Sequence, residues 1–438
     1  MKTLIYNHPW CKSIIKDKCI SSKMISSINM KEEPKMSLNK QNPRPLENLK
    51  VLELGHILAG AFSATILGYF GANVIKVEPP KSGDPIRTWR TVKDGTSLWW
   101  WSLGRNKKSI TVNLKSEEGQ KIIRDLCKHC DVLIENFRPG QMEDWNLGPE
   151  DIKKVNDRII YTRISGYGQT GPYSKKPGFA SVCEGFGGFR YLNGVPGELP
   201  VRPNLSLGDT LAGIHAALGI CMAYIRQLEN EKESGQIVDV SIFESVFNML
   251  EAVVPEYSGA GEIREPAGTT ITGIVPSNTY RCADRKLIII GANTESMFKR
   301  LMYALDRKDL AEDENLSDNA GRVANEQKID DAISDWAKKT TQKEALAILE
   351  DSRVAAGPIL NIQDMFEDPH YQARELFEEV SANGKSLKIP AIMPRLERTP
   401  GFTDAAGPTL GADTDQILQE FLSMDEDLIE KLRKQEII

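Results

Sequence analysis

RPNLSLGDTLAGIHAALGICMAYI, residues 202 to 225, sets a carboxylate, Asp209, behind Gly208 where a helical apolar pattern begins. Two chemistries fit that place. An aspartate at a helix N-terminus is a favoured cap, stabilising the helix by about 1 kcal/mol. The same location favours the anionic carboxylate through the helix dipole, and an ionised carboxylate can attack an acyl group. Residue type and spacing leave both open. A second stretch, RISGYGQTGPY (163 to 173), places three glycines and Pro172 after a strand end. Glycines there let backbone approach a ligand and turn N–H groups toward a developing oxyanion; a tight turn without a ligand is the alternative.

Other residues could serve an anionic ligand. DGTSLWWWSLGRNKKSITVNLK (94 to 115) puts Trp99, Trp100 and Trp101 beside Arg105, Lys107, Lys108 and Lys115. Stacking and charge pairing there would suit a ligand that is part adenine and part phosphate, whereas tryptophans in general pack in cores. KSGDPIRTWR offers Arg87 and Arg90 as forks for a carboxylate or phosphate, or as surface charges. His56 and His215 are lone histidines without a partner visible in sequence. Cys127 and Cys130, in CKHC, have no second pair at metal-ligand spacing and read as a helix end before a strand, so no metal site is assigned.

These residues must be held by an α/β scaffold. VLELGHILAGAFSATILGYFGANVIKVE (51 to 78) reads as strand, Gly-punctuated turn, helix and strand, ending in the carboxylate of Glu78. The dinucleotide fingerprint G-x-G-x-x-G needs its middle glycine so that backbone can approach a pyrophosphate. Gly55 and Gly60 hold the outer positions, but Ile57 holds the middle one, so the stretch has the fold of a nucleotide binder without its key. Further on, SITVNL, the helix SEEGQKIIRDLCKH, DVLIENF, RIIYTRISGYG and IVDVSIFESVF continue the alternation that favours a mainly parallel sheet covered by helices.

The chain has 438 residues, 40% of them hydrophobic, enough for more than one core. Residues 1–45, Lys- and Ser-rich, read as a disordered or targeting tail of mitochondrial type, with a cytoplasmic protein as the alternative. Residues 46–255 form the first part of a large Rossmann-like unit. The Gly, Pro and Thr texture near 256–281 opens a linker and smaller α+β unit to 370, and 371–438 return to the large unit and end in a helix. A net charge of -6 argues against a nucleic-acid-coating surface, no uninterrupted apolar run is long enough for a bilayer, and seven scattered cysteines suit free thiols.

GHILAG, LGYFGANVIKVEPPKSGDPIR, GRNKKSITVNLK, ENFRPG, SGYGQTGPY, SLGDTLAG, AAGPILNIQDMFEDPH and PTLGADTDQIL occur in the order and spacing of the family III CoA-transferases. The resemblance covers about residues 46 to 436. It implies an intertwined, ring-like homodimer in which a smaller domain is inserted into a Rossmann-like one. It also implies that Asp209 is the nucleophile, passing through a mixed anhydride and an aspartyl-CoA thioester. Leu58, Ala59, Val112, Lys115, Asn136, Phe137 and Arg138 match the family's coenzyme A contacts. Coenzyme A enters as a thioester substrate; no permanently bound cofactor or metal is implied. The partners implied are an acyl-CoA and a free carboxylic acid, with no nucleic acid or membrane. The Gly273–Pro276 segment is similar to the glutarate-type branch, pointing to succinyl-CoA as donor and a dicarboxylate as acceptor, with Arg87 or Arg202 on its distal carboxylate. The racemase relatives of this family carry a basic His where Phe179 stands, and Phe179 cannot take a proton, which disfavours racemisation. A non-catalytic coenzyme A binder, with Asp209 as a cap only, is the other alternative.

Overall fold

The computed structural model describes residues 42–438; the proposed leader before Asn42 lies outside the described residues. Arg44, assigned to the tail from sequence, pairs with Asp404 at 2.7 Å and lies over the Phe402 ring, so the ordered fold begins before residue 46.

Six parallel strands form the central sheet: β1 (Lys50–Glu53), β2 (Asn73–Glu78), β3 (Lys107–Thr111), β4 (Val132–Glu135), β5 (Ile160–Ser165) and β6 (Ile237–Ser241). Their order is β3-β2-β1-β4-β5-β6. Val51 pairs with Val74 on one side and Val132 on the other, so β1 and β4 meet where the strand order reverses. In open α/β sheets that reversal leaves a crevice beyond the carboxyl ends of the two strands. The period of two along β1 sends Leu52 and Leu54 into one core, and Leu49 and Val51 into the other.

The first core is closed by the amphipathic helix Glu117–Cys127, together with Ile417, Leu418, Ile429 and Leu432 from the C-terminal helices. Helix Glu117–Cys127 ends at Cys127 as the CKHC reading expects, and Cys130 is buried behind it. The second core is closed by α1 (Ala59–Tyr69) and the long helix α2 (Leu207–Glu229). Gly213 lets these two touch, because a Cβ there would sit 3.0 Å from the Ala59 carbonyl oxygen and 3.1 Å from Phe62. By length and a mean hydropathy of 1.3 α2 resembles a membrane-crossing helix, a property that apolar core helices share. Interspersed Gly and Ala hide this apolar character in the sequence, and in the fold one face of the helix packs on the sheet. The opposite face leaves Ile214, Leu218, Met222, Ile225 and Leu228 exposed.

The edge strand β3 is covered rather than open. Ser109 N–H donates to Asp413 (2.8 Å) and Thr111 N–H to Thr414 Oγ1 (3.0 Å), so the C-terminal segment caps the edge. A separate core, from Val275 to Val354, is built on a three-stranded antiparallel sheet that includes Ser277–Arg281 and Leu287–Gly291.

Candidate active site

The loop after β1 and the loop after β4 are fastened together. Asn136 accepts the His56 N–H and donates to the His56 carbonyl, both at 2.8 Å. Between them Ile57 has a φ of 65°, the left-handed conformation that the dinucleotide fingerprint assigns to glycine. A β-branched residue there is strained. Asp84 holds it, and Asp84 is itself paired with Lys76 at 2.9 Å. Lys76 also reaches Glu53 (2.8 Å) and the Gly55 carbonyl (2.7 Å), and Lys107 takes the second Glu53 oxygen at 2.7 Å. The side chains of this network are fully buried. Burial opposes the Lys76 charge, but Asp84 and Glu53 outweigh it and raise the ammonium's pKa. Sequence reasoning missed the network, although a lysine inside the otherwise apolar NVIKVE strand was its signal.

A cavity of about 270 Å³ opens above this loop, at the β1–β4 crevice. Leu58, Ala59, Asn136, Phe137 and Arg138 line it together with Asp209. His56, Ser165, Gly166, Lys176 and Phe179 complete the wall. Five of the seven residues matched to coenzyme A contacts therefore converge on Asp209. Val112 and Lys115 do not line this cavity: Val112 is packed in the core and Lys115 is exposed. The Asn136 amide is occupied by His56, which makes it the clasp of the two loops. The Phe137 ring packs edge-on against His56 and Trp145. Burial and the nearby Lys76 charge lower the His56 pKa, favouring the neutral ring. Arg138 and Lys176 are exposed and make no ion pair among the described residues; the Lys176 ammonium lies over the Tyr173 ring at 3.5 Å, and both charges can reach a phosphate from the cavity rim.

Asp209 lies in the first turn of α2, three residues after the cap position held by Ser206. It is half-buried and accepts no hydrogen bond among the described residues, so its carboxylate is not a helix cap. The Gly208 amide donates instead to Glu184 Oε1, from helix Ala180–Phe186. Burial and the Glu184 charge push the Asp209 pKa up to about 6, against an opposing effect of Arg202. An unengaged carboxylate of raised basicity, facing a cavity, is equipped to attack an acyl carbon and remains ionised at neutral pH. Gly166, from the glycine-rich stretch after β5, lines the same cavity.

Two sequence expectations are corrected. Arg87 is not available to a ligand: its guanidinium binds both Glu78 oxygens at 2.7 Å and stacks over Trp100. Glu78 is thereby consumed in the core, since burial of two opposite charges is tolerable only when they pair. The tryptophan and cation cluster is likewise interior, with Trp100 donating to the Pro408 carbonyl (2.9 Å) and Arg105 to the carbonyls of Ser102 and Pro390. Lys115 is exposed, and Trp99, with Arg90 over its ring at 4.1 Å, lines a second cavity together with Arg105.

The same assembly of parts recurs in known proteins. The family model for CoA-transferase family III matches residues 46–414. The succinyl-CoA–D-citramalate CoA-transferase of Chloroflexus aurantiacus is 41% identical, over 90% of this chain and 98% of its own. The human succinyl-CoA:glutarate CoA-transferase is 33% identical, over 91% and 90%. Among solved structures, a CAIB/BAIF family protein from Brucella suis superposes with a TM-score of 0.76 at 31% identity, covering 87% of this chain and all of that one. With its fold and its sequence thus matched, the chain belongs to CoA-transferase family III.

Proposed function

We propose that this CoA-transferase moves coenzyme A from succinyl-CoA to a small dicarboxylate through covalent intermediates on Asp209. The observation that carries the proposal is the unengaged Asp209 carboxylate in the cavity that also gathers Leu58, Ala59, Phe137 and Arg138. A carboxylate oxygen of Asp209 attacks the thioester carbonyl, the C–S bond breaks, and coenzyme A leaves as thiolate. The thiolate then attacks the aspartyl carbonyl of the mixed anhydride, releasing succinate and leaving an aspartyl-CoA thioester. The acceptor carboxylate attacks that thioester and expels the thiolate, which finally attacks the acceptor's carbonyl and frees Asp209. Each bond made replaces one broken and no net proton is consumed, so one difficult exchange becomes four easier ones.

Succinyl-CoA is the donor in the printed names of relatives acting on D-citramalate, L-malate and glutarate, all dicarboxylates. Arg202 suits the distal carboxylate of such an acceptor. It is exposed, makes no ion pair among the described residues, and is close enough to Asp209 to lower its pKa. Arg138 and Lys115 are assigned to the phosphates of coenzyme A, and Val112 can contribute only through its backbone. Phe179 lines the cavity without a proton-accepting atom, which weighs against racemase chemistry. We further assign the chain to a homodimer whose partner covers the exposed apolar face of α2, with the 275–354 core as an inserted smaller domain.

The test is a set of dicarboxylates offered with succinyl-CoA, with new thioesters read by mass spectrometry. Formation of a dicarboxylyl-CoA, with an acyl or CoA adduct on the peptide spanning Leu205 to Ile214, is the expected result. Turnover without any adduct on that peptide would overturn the covalent route.

A further inference from the structure

Helix α2 begins without help from its own cap, because Ser206 makes no side-chain bond to the first turn. The amide that would be orphaned, Gly208 N–H, donates 3.2 Å to Glu184 Oε1. Glu184 belongs to another helix and is completely buried. Its second oxygen, Oε2, accepts from Arg190 Nε at 3.1 Å and Nη2 at 2.8 Å, and Nη2 also reaches Ser181 Oγ at 3.1 Å. Gly208 permits this approach: a Cβ there would lie 2.9 Å from Ile242 Cγ2 and 3.4 Å from Glu184 Cγ. A buried carboxylate is costly and is tolerated only when paired and hydrogen-bonded. Capping alone does not account for it, since an uncharged serine at position 206 is already placed for that duty.

We propose that Glu184, fixed by Arg190, is a positioning residue for Asp209: it caps α2 from outside, leaving the Asp209 carboxylate free, and its charge favours the uncharged acylated forms of Asp209. The inference rests on Asp209 being the nucleophile. Through the cycle Asp209 alternates between a free anion and a neutral anhydride or thioester. A fixed negative charge beside it penalises only the anion, so it favours both covalent intermediates. The Arg190 charge is bound to the Glu184 oxygen that does not meet α2. Other groups act on Asp209 from neighbouring elements. Cys183 is held neutral, its pKa pushed up to about 11 by burial and by Asp209 and Glu184. Arg202 opposes Glu184, and His56, Arg138 and Lys176 face the cavity. Burial first, and the Glu184 charge second, raise the Asp209 pKa to about 6.

Glu184→Gln keeps an acceptor for the Gly208 amide and removes the charge. Glu184→Gln/Arg190→Met removes both members of the pair and remains foldable if the single variant strands Arg190. Each is compared with wild type, after a thermal melt establishes folding, in two measurements. One is the equilibrium fraction of aspartyl-CoA thioester on the Leu205–Ile214 peptide in succinyl-CoA; the other is the acid limb of kcat/KM. We expect the thioester-to-free-enzyme ratio to fall about tenfold and the limb to move down by about one pH unit, the two being the same free energy. An unchanged ratio and limb in a folded variant would overturn the role of Glu184 while leaving the nucleophile intact. Absence of the adduct in wild type during turnover would overturn both.

Discussion

Asp84 receives the backbone amide of Ile57 on both carboxylate oxygens, at 3.2 and 3.1 Å, and so holds an isoleucine at a φ of 65° beside the catalytic cavity. That conformation costs a β-branched residue about 1 to 2 kcal/mol. The buried Lys76–Asp84 pair opposes it. Asp84→Ala leaves Lys76 short of one counter-charge and the loop unheld. We expect a loss of about 3 kcal/mol of stability in urea unfolding, and a donor KM raised by about tenfold as the Leu58–Ala59 wall relaxes.

If Asp209 is the nucleophile, Asp209→Asn removes it without removing a helix cap, because the first-turn amide of Gly208 is bound by Glu184. CoA exchange should fall by roughly three orders of magnitude or more, with the melting temperature not lowered. A variant that keeps full exchange activity would exclude the covalent role.

The raised Asp209 pKa also gives a stability signature. A carboxyl whose folded pKa lies above its unfolded value stabilises the fold below the unfolded value, and that contribution is lost as pH rises through the folded one. Here the window runs from the ordinary aspartate value of 3.8 to about 6. At pH 7 Asp209→Asn should therefore be more stable than wild type by about 1 to 2 kcal/mol, allowing for partial exposure. The difference should shrink to nothing below about pH 4. Denaturant midpoints at several pH values measure it.

If Arg202 holds the distal carboxylate, Arg202→Gln should raise the KM for dicarboxylate acceptors by about tenfold to a hundredfold, the worth of a charge-assisted hydrogen bond. Monocarboxylate acceptors should be unaffected. Parallel loss for both classes would place Arg202 elsewhere in the cycle.

The exposed residues of α2 recur every three or four positions, a pattern suited to burial against another chain. Leu218→Asp together with Ile225→Asp should convert a dimer into a monomer in sedimentation equilibrium. A wild type that sediments as a monomer would reject the assignment.

Much of the scaffold was legible in sequence. The Asn73–Glu78 strand coincides with NVIKVE, and the next long helix begins where Ser116 caps the Gly119 amide ahead of the acidic Glu117 and Glu118. β3 starts earlier than SITVNL suggests, at Lys107, because Glu53 from β1 pairs with the Lys107 ammonium and lets it be buried at the start of this covered edge strand. Asp209 was identified as a candidate from its position alone, but position could not separate cap from nucleophile.

Local pattern determined the alternation of strands and helices, the interruption of the dinucleotide fingerprint at Ile57, and the placing of Asp209 at a helix start, because each depends on neighbours within a few residues. Tertiary structure alone decided which charges reach a ligand: Arg87 and Glu78 neutralise each other in the core, whereas Arg138 and Lys176 remain open. It also decided that Glu184, 25 positions before Asp209, takes over the capping of α2. The physical reason is that desolvation and charge pairing act through space, between residues whose separation along the chain carries no information about their distance.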